Sequence, residues 1–154
     1  MQDCAVSLLP SPWIPTSKRL WGRIGFGRER GLNVILGIGT DLAEVERYRF
    51  DEERLAWFAR RVYTDEEMEY ALRKRAWPER LAGFFAAKEA ARKAFGFAIP
   101  WREVGVSHER SGRPILKFFG TASDLPERFG VVRMHLTITH TATTAAAFVV
   151  LEGK

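Results

Sequence analysis

Hydrophobic and polar positions divide the chain into a helical first part and a strand-like second part. Asn33 to Gly39 is a short, β-branched apolar run, the pattern of a buried strand. Asp41-Leu42-Ala43-Glu44 follows it with an acid at a cap position and Glu three residues on, so a capping box and a helix start are expected there. Leu55, Phe58, Ala59 and Val62 recur at helical spacing over residues 51–62. Thr64-Asp65-Glu66-Glu67 reads as a second capping box, with Tyr63 and Met68 placed for its hydrophobic staple. The next helix has Pro78 in its first turn and Gly96 just past its end. Leu81, Phe84, Phe85, Lys88 and Phe95 run roughly along one side of it.

After Gly96 the period changes. Val104 and Val106 alternate with smaller residues, Ser111-Gly112-Arg113-Pro114 is a turn, and Ile115 to Phe119 is a strand. Thr121 to Phe129 predicts a short helix. Val132, Met134, Leu136 and Ile138 face one way and Arg133, His135, Thr137 and Thr139 the other, a half-buried strand. Thr144 to Leu151 is apolar on both faces and predicts a central strand, joined to its predecessor by a turn over His140 to Thr143. Helices first and antiparallel strands later define an α+β class, with helices packed on an antiparallel sheet. No internal repeat is present.

Composition changes this picture mainly at the N-terminus. The 154 residues are enough for one domain with its own core, and 46% hydrophobic with 28% charged residues is ordinary for a soluble globular chain. The net charge is +5, of which residues 1–33 supply +3 through Lys18, Arg19, Arg23, Arg28 and Arg30 against Asp3 and Glu29. The basic balance therefore says little about the body of the protein, and a nucleic-acid partner is not expected. Pro10, Pro12 and Pro15, then Gly22, Gly25, Gly27 and Gly31, break any regular element in that segment. Residues 1–33 are expected to be a disordered tail or an overlong start, and residues 34–154 the domain. Cys4 is the only cysteine, so no intrachain disulfide forms, which suits the reducing cytoplasm. No apolar stretch is long enough to span a bilayer, so no membrane partner is expected.

Several residues carry candidate chemistry, each with a structural reading beside it. Asp41 is either a helix cap or a metal ligand at the carboxyl end of a strand. Glu89 precedes Lys93 by four residues, the spacing of a surface helix ion pair. Alternatively Glu89 serves a metal and Lys93 a phosphate, since Lys88, Arg92 and Lys93 supply more positive charge than one glutamate needs. His140 ends an apolar face and is either structural or a hydrogen-bond partner for a phosphate or hydroxyl. His108 and His135 join no constellation and read as structural. Gly37-x-Gly39 is not a dinucleotide fingerprint, because Leu42 occupies the third glycine position. There is no Walker lysine, no G-x-S-x-G and no zinc spacing. Arg47, Arg49, Arg54, Arg60 and Arg61 crowd one region, interleaved with Asp51, Glu52 and Glu53. They form either a solvated face or a docking surface for an acidic protein.

Taken in order, these residues resemble the bacterial holo-[acyl-carrier-protein] synthases, which are 4′-phosphopantetheinyl transferases. Gly37-Ile38-Gly39-Thr40-Asp41-Leu42 resembles that family's first motif. Phe85-Ala86-Ala87-Lys88-Glu89-Ala90, continuing through Lys93-Ala94-Phe95-Gly96, resembles its second. Gly112-Arg113-Pro114 matches a G-[KR]-P turn, and Ile138-Thr139-His140-Thr141 resembles the C-terminal motif. The resemblance covers about residues 34–152. It implies transfer of phosphopantetheine from coenzyme A to a serine of apo acyl carrier protein, leaving adenosine 3′,5′-bisphosphate, within fatty acid biosynthesis. It implies Mg²⁺ on Asp41 and Glu89, a catalytic role for Glu89, Lys93 and Asp41, and Lys93 on the phosphate. It also implies that His140 and the Gly112-Arg113-Pro114 turn hold the nucleotide, that the carrier docks around Arg47, Arg49 and Arg54, and that the protein is a homotrimer.

The chain departs from the pattern at four places. Phe84 stands where many relatives have Arg, Phe97-Ala98-Ile99-Pro100 replaces a more glycine-rich loop, and Thr141 replaces an acid found in some relatives. Residues 1–33 have no counterpart. A catalytically impaired module that binds coenzyme A or a carrier protein is the alternative these departures leave open.

Overall fold

A computed structural model describes residues 34–154; the tail expected over residues 1–33 lies outside the described residues. Three long strands form one antiparallel sheet: β1 (Val34–Glu44), β4 (Val131–His140) and β5 (Thr144–Gly153), in the order β1-β5-β4. β5 is central, as its apolar character predicts. Its alternation is sharper than the sequence suggests. Ala145, Ala147, Val149 and Leu151 are buried, whereas Phe148 on the other face is 42% exposed. One face of the sheet is thus covered by helix and the other is open.

The helix start expected at Asp41 does not form. β1 runs on through Glu44, with Asp41 opposite Ala147 and Glu44 opposite Thr144. A single 3₁₀ turn, Val45–Tyr48, follows, and no side chain caps it. The local capping signal loses to a cooperative ladder whose backbone hydrogen bonds continue as far as Val45 N–H on the Thr143 carbonyl, 2.8 Å.

Helix α3 (Trp77–Phe95) crosses the covered face. Its caps are those predicted: Pro78 in the first turn, and Gly96 left-handed at φ 79°. What lets it lie close is the Gly37-x-Gly39 pair on β1. A Cβ on Gly39 would stand 1.9 Å from the Ala90 carbonyl oxygen, and one on Gly37 2.0 Å from that of Ala94. Only glycine permits that approach. Ala86, Ala87, Ala90, Ala91 and Ala94 complete a seam of small, buried residues.

Two helices lead into α3. In α1 (Glu52–Arg61), Asp51 caps by accepting from Arg54 N–H at 2.8 Å. In α2 (Asp65–Leu72), the Thr64–Glu67 capping box is complete. A separate hairpin, β2 (Val104–His108) with β3 (Pro114–Phe118), turns through Gly112 at φ 86°. The helix predicted over Thr121 to Phe129 is a 3₁₀ turn at Gly120–Ala122 and a single turn, α4 (Leu125–Arg128). A bulge between Val131 and Arg133 puts Val132 out to solvent, so the expected inward set on β4 begins at Met134.

Candidate active site

The Gly37-x-Gly39 seam brings Asp41 to helix α3. Asp41 shares the pleat face of Gly37 and Gly39, four and two residues before it, and so faces the helix. Lys93 reaches across from α3: its Nζ donates to Asp41 Oδ1 at 2.7 Å and to the Thr40 carbonyl at 3.0 Å. Glu89 lies one turn earlier on the helix, and its Oε1 accepts from Arg92 at 2.6 Å. The Glu89–Lys93 surface pair suggested by the spacing is therefore not made. Both carboxylates are half-buried, Asp41 at 16% and Glu89 at 25% side-chain exposure, each held by a cation.

The two carboxylates share an electrostatic environment. Burial pushes the Tyr48 phenol pKa well up; Arg47 opposes this, while Asp41 and Glu89 both add to it. Arg92 is fixed in turn, its guanidinium 4.2 Å above the Trp101 ring, which stacks on Phe85 at 4.9 Å. Among the described residues no three His, Cys, Asp or Glu gather as a metal cage. Two carboxylates alone are a donor set that suits magnesium, which keeps waters and takes substrate phosphate oxygens for its other positions.

Lys88 is not part of this cluster. It points into the core, fully buried, with Nζ 2.9 Å from Glu67 Oε2. It also donates to the carbonyls of Trp101 at 2.9 Å and Val104 at 2.5 Å.

A second group of residues lines a pocket of about 320 Å³ beside the start of α3. It is lined by His140, Gly112 and Pro114, and also by Tyr70, Arg80 and His108. Arg113 is exposed and does not line it. His108, which reads as structural from sequence, stacks on Tyr70 with centroids 4.1 Å apart. Burial lowers the His108 pKa, Arg80 lowers it further, and Glu66 opposes them. Phe84, the departure that removes an expected arginine, is a wall of this pocket. The guanidinium comes from Arg80 instead, one helical turn earlier, with Nη1 3.2 Å from His140 Nε2. The i, i+4 relation of Arg80 to Phe84 was available in the sequence; the pocket that gives it meaning was not. Nine residues of α3 separate Arg80 from Glu89, a rise of about 14 Å.

In the basic region, Arg47 is exposed just beyond β1, Arg49 pairs with Glu46 at 2.9 Å, and Arg54 lies over the Phe50 ring at 5.4 Å. Trp57, 45% exposed, carries the Arg61 guanidinium over its ring at 4.7 Å.

Comparison with known proteins defines the class first: residues 37–148 match the 4′-phosphopantetheinyl transferase superfamily. Within that class the chain belongs to the holo-[acyl-carrier-protein] synthase family. It is 42% identical over 125 residues to the holo-[acyl-carrier-protein] synthase of Solibacter usitatus, covering 78% of this chain and 100% of that one. Among solved structures it is similar to the enzyme of Neisseria meningitidis, with TM-score 0.69 and 33% identity over 77% of this chain and 98% of that one. It is also similar to that of Bacillus anthracis in complex with CoA (3′,5′-ADP), with TM-score 0.62 and 32% identity over 78% and 98%.

Proposed function

We propose that this chain transfers the 4′-phosphopantetheine group of coenzyme A to a serine of apo acyl carrier protein, with Mg²⁺ held by Asp41 and Glu89. The observation that carries the reading is the cluster of Asp41, Lys93, Glu89 and Arg92, formed by the two motifs that resemble the family's own. The carrier serine oxygen bonds to the phosphorus that bears the pantetheine arm. The bond from that phosphorus to the bridging oxygen breaks, and adenosine 3′,5′-bisphosphate leaves. Glu89 accepts the serine proton, and Lys93 stabilises negative charge on the departing phosphate. Magnesium, when bound, neutralises charge on the pyrophosphate oxygens. His140, Gly112 and Pro114, which line the pocket beside the start of α3, hold the nucleotide end.

The carrier docks at Arg47, Arg49 and Arg54, beside the strand that holds Asp41; basic residues there steer an acidic partner. The open sheet face supports a homotrimer. Ile38, Leu42 and Phe148 are exposed on it, Leu42 at 71%, an apolar surface that a monomer seldom leaves uncovered. No helix among the described residues is long and apolar enough to cross a membrane, and we place the reaction in cytoplasmic fatty acid biosynthesis.

The test is mass spectrometry of apo acyl carrier protein incubated with the protein, coenzyme A and Mg²⁺. The expected result is one added phosphopantetheine per carrier, lost with Asp41→Asn and cut roughly 10²- to 10⁴-fold by Glu89→Gln. Binding of coenzyme A and carrier without transfer would favour a non-catalytic binding module.

A further inference from the structure

Two cations stand beside the two carboxylates, and their side chains are held very differently. Lys93 reaches Asp41 on a flexible stem and is 51% exposed, whereas Arg92 is 22% exposed and held on two sides. Its Nη1 donates to Glu89 Oε1 at 2.6 Å, and its guanidinium carbon lies 4.2 Å from the centre of the Trp101 ring. Trp101 stacks on Phe85, and Phe85 meets Tyr48 with centroids 5.7 Å apart. Phe85, Glu89 and Arg92 follow one another at i, i+4 and i+7, so one stripe of α3 carries both the carboxylate and its support. Among the described residues Arg92 is the one hydrogen-bond and ion-pair partner of the Glu89 carboxylate, and Oε2 accepts from none.

We infer that Arg92 is a positioning residue for the transfer: held by Trp101, it pins Glu89 through Oε1 and so presents Oε2 to magnesium. The inference rests on the proposed transferase reading, in which Glu89 is a metal ligand. A glutamate side chain has several rotatable bonds, and a lysine four residues on would pair with it. Arg92, at i+3, takes that carboxylate and leaves Lys93 to Asp41 and then to the phosphate. Arginine suits the fixed role and lysine the moving one, because a planar guanidinium stacks on an indole and an ammonium is a point charge on a mobile stem. The guanidinium also opposes the metal, since its charge weakens the attraction of the carboxylate for a second cation. Arg92 thus fixes the ligand at some loss of metal affinity.

The test measures Mn²⁺ binding to the full chain, alone and with adenosine 3′,5′-bisphosphate, from the electron-spin-resonance signal of the free ion. Transfer kinetics and the urea midpoint are measured beside it. Arg92→Met keeps an apolar stem on Trp101 and drops the charge. It is expected to bind Mn²⁺ about twofold to fivefold more tightly, the effect of removing a partly exposed ion pair. Its kcat falls about tenfold to a hundredfold, the effect of a misplaced catalytic group, with KM for coenzyme A little changed. Arg92→Lys restores part of both. Trp101→Leu removes the ring but keeps the backbone carbonyl that accepts from Lys88, and it moves both quantities in the direction of Arg92→Met by less. Tighter metal with slower transfer is a combination that a loosened fold does not give, because loosening weakens both. Weaker or unchanged Mn²⁺ binding, or an unchanged kcat, in Arg92→Met overturns the assignment; if that variant does not fold, Arg92→Lys is held to the same two outcomes. A wild type that binds Mn²⁺ but never transfers overturns the catalytic reading instead, while tighter binding by Arg92→Met still supports the hold of Arg92 on Glu89.

Discussion

Adjacent residues of one motif do unrelated work in this protein. Glu89 faces the site, while Lys88 fills a buried socket in which its three donors meet Glu67, the Trp101 carbonyl and the Val104 carbonyl. Glu67 is equally satisfied: Oε2 takes the Thr64 N–H at 2.7 Å, and Oε1 the Val106 N–H at 2.9 Å. The ion pair therefore joins α2, α3 and β2 at one point. Removing one partner leaves the other charged and uncompensated, so Lys88→Met is expected to destabilise the fold by roughly 3–5 kcal/mol. Urea denaturation measures this, and a loss under about 1 kcal/mol would contradict the role. The inward direction of Lys88 was legible, since it falls in the apolar stripe of its helix. Its partner was not, because nothing local links residue 67 to residue 88.

At the level of elements, the approach of β1 to α3 decides the site. The sequence marks both glycines and both motifs but says nothing of their contact, and it places a helix where β1 continues. That error has a physical source. Capping boxes are local, while the ladder that overrides this one joins segments on opposite sides of the chain, with the Thr40 hydroxyl on the Ala147 carbonyl 107 positions away. The second capping box, at Thr64, forms as read because no strand competes for its backbone. Gly39→Ala tests the seam. Its methyl would overlap the Ala90 carbonyl, forcing α3 outward at a cost of about 1–3 kcal/mol. Transfer should fall further than stability does, because Lys93 then loses its reach to Asp41. Comparing kcat with the urea midpoint separates the two effects.

For the whole molecule, the α+β class and the strands, apart from the run of β1 past Gly39, followed from the pattern of apolar residues, and the similarity to synthases of solved structure agrees with the class. The open face did not follow. A strand apolar on both sides reads as doubly covered, yet a single chain covers only the side under α3. Phe148→Glu places a charge on the other side at the central strand. If copies of the chain meet there, light scattering should show the trimer replaced by monomer, with the monomer still folded by circular dichroism. An unchanged mass would place the subunit contact elsewhere.

The position of β5 has one more consequence. It lies between β1 and β4, which do not pair with each other, and it is synthesised after both. Until it emerges from the ribosome, the two earlier strands have no strand partner, and Asp41 lacks the ladder that sets it opposite Ala147. Premature stops anywhere before residue 144 should thus yield no partly built site. They should yield chains with two unpaired strand edges, which are substrates for chaperones and proteases.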